Sequence, residues 1–118
     1  MKIEERFHNG IHFFQISGDL DASSALELDK VIQSAMSMGH YTMIFDCAEL
    51  LYIASAGLGV FISHRDEVHS QDGDIVFFGM KERVYNVFKM LGLTELFNIV
   101  EKEDEALGAL KLKGLPKA

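Results

Sequence analysis

The sequence has no tryptophan and is poor in cysteine, proline and basic residues. Among its 118 residues are one cysteine and one proline, and 18 acidic residues outnumber 11 lysines and arginines. A single cysteine, Cys47, excludes an internal disulfide. Because Cys47 follows the apolar run of residues 41–45, we expect a small buried hydrophobic residue rather than a reactive thiol.

The shortage of basic residues also restricts the partners. Nucleic acids and anionic membrane surfaces select basic patches, so a formal net charge of −7 argues against both. No window approaches the roughly 18 apolar residues of a membrane-spanning helix. The opening stretch MKIEERFHNG lacks the apolar core of a signal peptide. We therefore expect a protein of the reducing cytoplasm.

Length and composition indicate one folded domain over residues 1–118. Two short strands are expected at residues 3–8 and 11–17, around the hairpin signal Asn9-Gly10.

The first helix follows this hairpin. Its N-terminal cap is either Ser24, which has capping-box spacing to Glu27, or Asp21. Gly39 is well placed to end the helix.

Continuous apolar runs and further helical patterns fill the rest of the chain. In chain order we expect a strand at 41–46, a helix from about Ser55, a strand at 74–79, a helix after residue 80, a short strand at 96–100 and a helix around 103–112. Buried strands that alternate with helices indicate right-handed crossovers. The prediction is an α/β fold, with a mostly parallel sheet of about five strands, an antiparallel N-terminal hairpin and about four helices.

The stretch YIASAGLGVF, residues 52–61, suggests a site at the start of the second helix. Each glycine there costs about 1 kcal/mol relative to alanine, so a compensating role is expected. Ser55 is expected to be the N-cap, its hydroxyl accepting from the amide of Leu58. Leu58, Phe61 and Ile62 are expected in the core.

Small residues surround this serine. With Ala56, Gly57 and Gly59 in the first turn, another backbone can approach the helix closely. The structural alternative is that the serine only caps the helix and the glycines only permit tight packing of helix against sheet.

Three aspartates are candidates for the rim of the same surface. Asp19, Asp21 and Asp46 each lie in or beside a strand-to-helix turn. Their functional interpretation is contact with basic groups of a partner, and the alternative is capping and solubility.

Three segments resemble the STAS family (sulfate transporter and anti-sigma factor antagonist). IFDCAELLYIASAGLGVFI resembles the signature in which a strand ending in Asp leads to an Asp-Ser-Ser/Ala-Gly-Leu turn. GDLDASSALEL resembles the family's Gly-acidic-Leu/Ile-Asp turn, and VYNVFKMLGLTELFNIV resembles its closing helix and last strand. The chain length is most similar to stand-alone bacterial anti-sigma factor antagonists.

This resemblance implies a regulator that switches partners. In that family the protein binds an anti-sigma factor serine kinase and so frees the sigma factor. The kinase then phosphorylates the serine that matches Ser55, which ends binding, and a metal-dependent phosphatase restores it. The antagonist itself has no catalytic centre, cofactor or metal. The expected partner-binding residues are Asp19, Asp21, Asp46, Ala54, Ser55, Ala56, Gly57, Leu58 and Gly59.

The chain departs from the family pattern at Ala54, where Asp is usual. Either the cognate kinase tolerates alanine, or the chain is a STAS-type scaffold that phosphorylation does not control. An enzyme is disfavoured, because the flanks Ile53 and Gly57 do not match the Gly-x-Ser-x-Gly motif of hydrolases.

Overall fold

The computed structural model describes residues 1–111, which form a six-stranded sheet and four α-helices. The elements are β1 Lys2–His8, β2 Ile11–Leu20, α1 Ala22–Ser37, β3 Thr42–Asp46, β4 Leu50–Ile53, α2 Ser55–Ser70, β5 Asp74–Phe78, α3 Glu82–Met90, a 3-10 helix Leu93–Glu95, β6 Asn98–Val100 and α4 Glu103–Lys111. Residue 112, the last of the predicted final helix, lies outside the described residues.

The sheet has the order β1-β2-β3-β5-β6, with β4 attached to β2. Strands β1 and β2 pair antiparallel, and every other pair is parallel. The turn between β1 and β2 places Asn9 at φ 53° and Gly10 at φ 80°, as a type I′ hairpin requires. The predicted α/β class and N-terminal hairpin are confirmed.

Strand β4 was not predicted. The first half of β2 pairs with β3, from His12 opposite Met43 to Gln15 opposite Asp46. The second half of β2 pairs with β4, where Leu20 lies opposite Ile53. The long β2 therefore pairs with two strands in succession. A single residue separates the end of strand β4 from the start of α2.

Two hydrophobic layers enclose the sheet. The larger layer lies under α1, α2 and α3 and contains contacting aromatic rings of Phe14, Phe45, Phe61, Phe77 and Phe88. The smaller layer lies under α4 and consists of Ile11, Phe13, Ile44, Val76, Phe78, Ala106 and Leu110.

For two residues the expected burial can be compared with the structure: the expectation for Cys47 is confirmed, and that for Ile62 is wrong. Cys47 is fully buried, and burial raises the pKa of its thiol well above the usual range, so it is the inert core residue that was expected. Ile62 was expected in the core but is 42% exposed. The buried face of α2 is centred on Phe61 and Val68, so Ile62 falls at its solvent side.

No helix within residues 1–111 is long and apolar enough to cross a membrane.

Candidate functional site

The start of α2 is held against the end of β2. Leu20 and Ile53 are register partners at the end of the β2–β4 pair. The Ala54 amide then donates to the Leu20 carbonyl, with an N···O distance of 2.9 Å. Because α1 begins two residues after Leu20, the first turns of α1 and α2 start side by side.

Ser55 is the first residue of α2, and the expectation that it is the N-cap is wrong. Ala54 is the N-cap, and no side chain caps the helix. The amide of Leu58 donates to the Ala54 carbonyl at 3.2 Å instead of to the serine hydroxyl. Ser55 is exposed, and its hydroxyl makes no hydrogen bond with any residue in the range 1–111. The hydroxyl is thus presented to solvent rather than used for capping.

The two glycines of α2 have different roles. A Cβ built on Gly57 would lie 2.5 Å from Cγ of Leu20 and 3.3 Å from Cγ1 of Ile53. The close approach at Gly57 is therefore made by the protein's own sheet. Gly59 is exposed, and a Cβ there would meet nothing within 4 Å.

Two of the predicted partner-binding residues are consequently misplaced. Gly57 and Leu58 are both buried inside the fold, so neither presents a surface to another protein. Ala56 and Gly59 are exposed beside Ser55, and Ala54 is half-buried. The small-residue surface that the sequence suggested exists, but it is formed by these outer positions.

Asp21, one of the two predicted caps, is the N-cap of α1. Its Oδ1 accepts hydrogen bonds from the amides of Ser23 and Ser24, both at 3.1 Å. The hydroxyl oxygen of Ser24 in turn accepts from the Asp21 amide at 2.9 Å, which completes a capping box. Hydrogen bonds from the hydroxyls of Ser23 and Ser24, then from the Ser24 amide, lower the pKa of Asp21.

We expect Asp21→Ala to lower the thermal midpoint by a few degrees at pH 7, and Asp21→Asn to lower it less, because asparagine also caps helices. Since the pKa of Asp21 is lower in the folded protein, the benefit of its charge is present above the unfolded-state pKa, about 3.9. It is lost as pH falls through the folded-state pKa. Thermal melts between pH 7 and pH 2 should therefore show wild type and Asp21→Asn converging in acid; parallel curves would contradict the cap.

Asp19 and Tyr52 extend the site beyond the helix. They are register partners on β2 and β4, and both are exposed. Tyr52 is 51% exposed. Because the next residues, Leu20 and Ile53, pack beneath α2, the side chains of Asp19 and Tyr52 leave the sheet on its other face. Sequence reasoning missed Tyr52, because its position on a strand beside Asp19 becomes visible only once β4 is known.

Asp46 does not join this site. Its neighbour Phe45 packs against Phe61 of α2, so the Asp46 side chain points to the opposite face of the sheet. There Asp46 lines a cleft of about 210 Å³ together with residues that include Gln15 and Glu103. Its Oδ1 also accepts from the Ala48 amide at 3.0 Å, which fixes the turn after β3. The expectation that Asp46 rims the same surface as Ser55 is wrong.

We call the exposed and half-buried residues around the first turn of α2 and at the ends of β2 and β4 the Ser55 surface. It comprises Asp19, Asp21, Tyr52, Ala54, Ser55, Ala56 and Gly59. The surface is nearly free of side chains at its centre. Tyr52 lies three residues before Ser55 on the strand that precedes α2, and Asp19 and Asp21 flank Leu20, whose carbonyl accepts from the Ala54 amide. The first turn of α2 carries no acidic side chain, so the helix dipole there favours an added anion.

Comparison with known protein families assigns the chain to one of them. The family description "STAS domain" matches residues 2–106. The chain belongs to the STAS domain family. It is 27% identical over 108 residues to the anti-sigma-B factor antagonist of Listeria monocytogenes, which covers 92% of this chain and 94% of the relative.

Solved structures of STAS proteins share the fold. An anti-sigma factor antagonist from Mycobacterium paratuberculosis superposes with a TM-score of 0.85 at 18% identity, over 93% of each chain. The Bacillus cell fate determinant SpoIIAA in its phosphorylated form gives 0.73 at 19% identity, over 92% of this chain and 99% of SpoIIAA. Both the STAS fold and the relationship to anti-sigma factor antagonists, which are non-enzymatic regulators, agree with the sequence prediction.

Proposed function

We propose that this STAS protein is an anti-sigma factor antagonist that binds a serine-kinase anti-sigma factor through the Ser55 surface and is released when Ser55 is phosphorylated. The exposed, unbonded hydroxyl of Ser55 at the uncapped start of α2 carries this proposal. The Listeria relative, named as an antagonist of anti-sigma-B factor, supports the general role.

The Ser55 surface is suited to a closely fitting protein partner. Gly59 and Ala56 project almost nothing, so the partner's backbone can approach α2 closely. An exposed tyrosine such as Tyr52 offers the kind of rigid aromatic contact that dominates many interfaces. Asp19 and Asp21 supply negative charge for basic groups of the partner.

Phosphorylation would reverse binding without unfolding the protein. A phosphoserine adds about −1.5 to −2 charges and a strongly hydrated group. Within the free protein, the start of α2 tolerates this charge. Inside a tight interface the same charge would be unpaired, at a cost of roughly 3 kcal/mol or more. Affinity would then fall at least about a hundredfold.

Ala54 fits this switch better than the sequence alone suggested. An aspartate at the N-cap would place its own carboxylate on the first amides of the helix. With Ala54 as N-cap, no side-chain acceptor occupies that position. The amides at the start of α2 are therefore accessible to a phosphoryl group on Ser55. SpoIIAA has been solved in both unphosphorylated and phosphorylated forms, which supports a phosphorylation switch on this fold.

The remaining parts of the proposal follow the same chemistry. A metal-dependent serine phosphatase would restore the binding form, and the cycle would run in the cytoplasm, where ATP is available. A STAS-type scaffold that phosphorylation does not control is the second candidate, favoured by the departure from the family pattern at Ala54.

Tyr52→Ala tests the Ser55 surface as the binding site. Purified chain is titrated calorimetrically with each serine-kinase anti-sigma factor encoded in the same genome. We expect one of them to bind wild type, and Tyr52→Ala to weaken that binding at least about tenfold, the scale of an interface hot spot. Because Tyr52 is half exposed, the free energy of unfolding should change by less than about 1 kcal/mol.

Met90→Ala is the matched control. Met90 is 84% exposed and lies at the end of α3, so its truncation removes a similar apolar side chain outside the Ser55 surface. Its affinity should equal that of wild type. Equal losses in both variants, or none in Tyr52→Ala, would count against this surface as the binding site.

A further inference from the structure

His12 is a buried histidine that the proposed partner switch does not use. It lies on β2, is 4% exposed and is one of three buried polar residues within the described chain. Its Nε2 lies 2.8 Å from Oε1 of Glu5 on β1, and its Nδ1 lies 3.0 Å from Nδ1 of His40 in the turn after α1. Both ring nitrogens are therefore committed to hydrogen bonds with titratable groups.

Glu5 fixes the tautomer of His12. An ionised carboxylate only accepts, so Nε2 of His12 carries a proton and donates it to Glu5. In neutral His12 the other nitrogen, Nδ1, is then an acceptor. His40 must consequently carry its proton on Nδ1 and donate it to His12.

The contact between the two imidazoles holds at most one positive charge. If His40 is the charged ring, it still donates to Nδ1 of neutral His12. If His12 is the charged ring, it donates to Nδ1 of neutral His40. When both rings are charged, two N–H groups face each other at 3.0 Å and the hydrogen bond is lost.

Aromatic rings stack on both imidazoles, so loss of the hydrogen bond between them would also disturb this stacking. Phe7 of β1 stacks on the His40 ring with centroids 3.7 Å apart, and Phe14 stacks on the His12 ring at 4.4 Å. Among titratable groups within residues 1–111, only Glu5 and His40 hydrogen-bond to His12, and its register partner Met43 on β3 brings no charge. No cluster of three or more side chains that could hold a metal ion occurs in that range.

We propose that His12 and His40 form a proton-sensitive clasp, closed at neutral pH and open in acid, that fastens the β1–β2 hairpin to the turn after α1. Addition of a second proton breaks the contact, because both Nδ1 atoms then carry hydrogen and neither can accept. Opening separates His40 and the stacked Phe7 from His12. The clasp lies eight residues from Leu20 along β2, about 26 Å from the Ser55 end of the strand. The clasp is therefore spatially separate from the Ser55 surface.

Amide hydrogen exchange of β1, followed by NMR at pH 7 and pH 5, tests the clasp. After correction for intrinsic rates, the amides of β1 should exchange at least about tenfold faster at pH 5 than at pH 7. Protection of β1 that does not change between pH 7 and pH 5 would overturn the proposal.

Two variants separate the clasp from other acid effects. In His40→Gln the side-chain amide can donate to neutral His12 or accept from charged His12, so the contact survives. This variant should keep β1 protected at pH 5. His8→Gln removes an exposed histidine of the same hairpin, and its β1 should lose protection at pH 5 as in wild type. Loss of protection in acid that persists in His40→Gln, or disappears in His8→Gln, would refute the assignment to His12 and His40.

Discussion

Ser55→Asp should weaken binding to the anti-sigma factor by about a hundredfold while leaving the fold intact. The aspartate introduces a charge at the centre of the Ser55 surface, where a closely fitting partner offers no counter-charge. In the free protein the same charge lies at the exposed start of α2, and the helix dipole favours it. Calorimetric titration measures the affinity, and urea denaturation should give an unfolding free energy within about 1 kcal/mol of wild type.

Ser55→Ala is the control for charge. It removes the hydroxyl but adds nothing, so it should bind nearly as well as wild type and take up no phosphate. Incubation with ATP and the bound kinase should label wild type and leave Ser55→Ala unlabelled. Equal affinities for Ser55→Asp and wild type would contradict the switch.

The same incubation separates the two candidate functions. Tight binding together with labelling at Ser55 supports the phosphorylation switch. Tight binding without labelling favours the scaffold, because the surface would then be used while the hydroxyl is not modified. The affinity of Tyr52→Ala tests the location of the interface in either case.

Much of the fold could be predicted because its signals are local. Asn9-Gly10 needs positive φ angles at both positions, and the structure has them. The apolar runs before Asp46 and within Asp74–Phe78 predict strands covered on both faces, and both strands are central in the sheet. Strand β4 could not be predicted, because its pairing depends on the length of β2 rather than on its own pattern.

The start of α2 was predicted to within one residue, but the roles of its residues were not. A one-residue shift in the start of α2 turns Ser55 from the cap into the first helical residue, and helix ends are the least certain part of such a prediction. That shift changes the role of the hydroxyl from an internal hydrogen bond to an exposed group. The orientation of Asp46 was likewise hidden, since a strand's two faces can be assigned only when the helices covering them are known.

Exposure of single side chains was the hardest property to predict. Gly57 and Gly59 are identical in type and lie two residues apart, so composition and spacing treat them alike. In the folded chain one contacts Leu20 and the other faces open space. The distinction comes from the rotation of α2 over the sheet, which is a tertiary property.

Gly57→Ala and Gly59→Ala should therefore change stability in opposite directions. At Gly57 the new methyl group would lie 2.5 Å from Cγ of Leu20, a fully buried side chain that would have to shift. Overpacking of this kind costs about 1–3 kcal/mol. At Gly59 the methyl group meets nothing, so the higher helix propensity of alanine should stabilise the protein by about 0.5–1 kcal/mol.

Urea denaturation of the two variants measures this difference, and binding shows what each glycine is for. Gly57→Ala should lower the midpoint of unfolding, because its glycine serves the packing of α2 on β2 and β4. Gly59→Ala should raise the midpoint yet reduce affinity for the anti-sigma factor, since its methyl group would stand between α2 and the partner backbone. If Gly57→Ala were as stable as wild type, close packing against Leu20 would not explain its glycine. If Gly59→Ala bound normally, the partner would not approach α2 at that position.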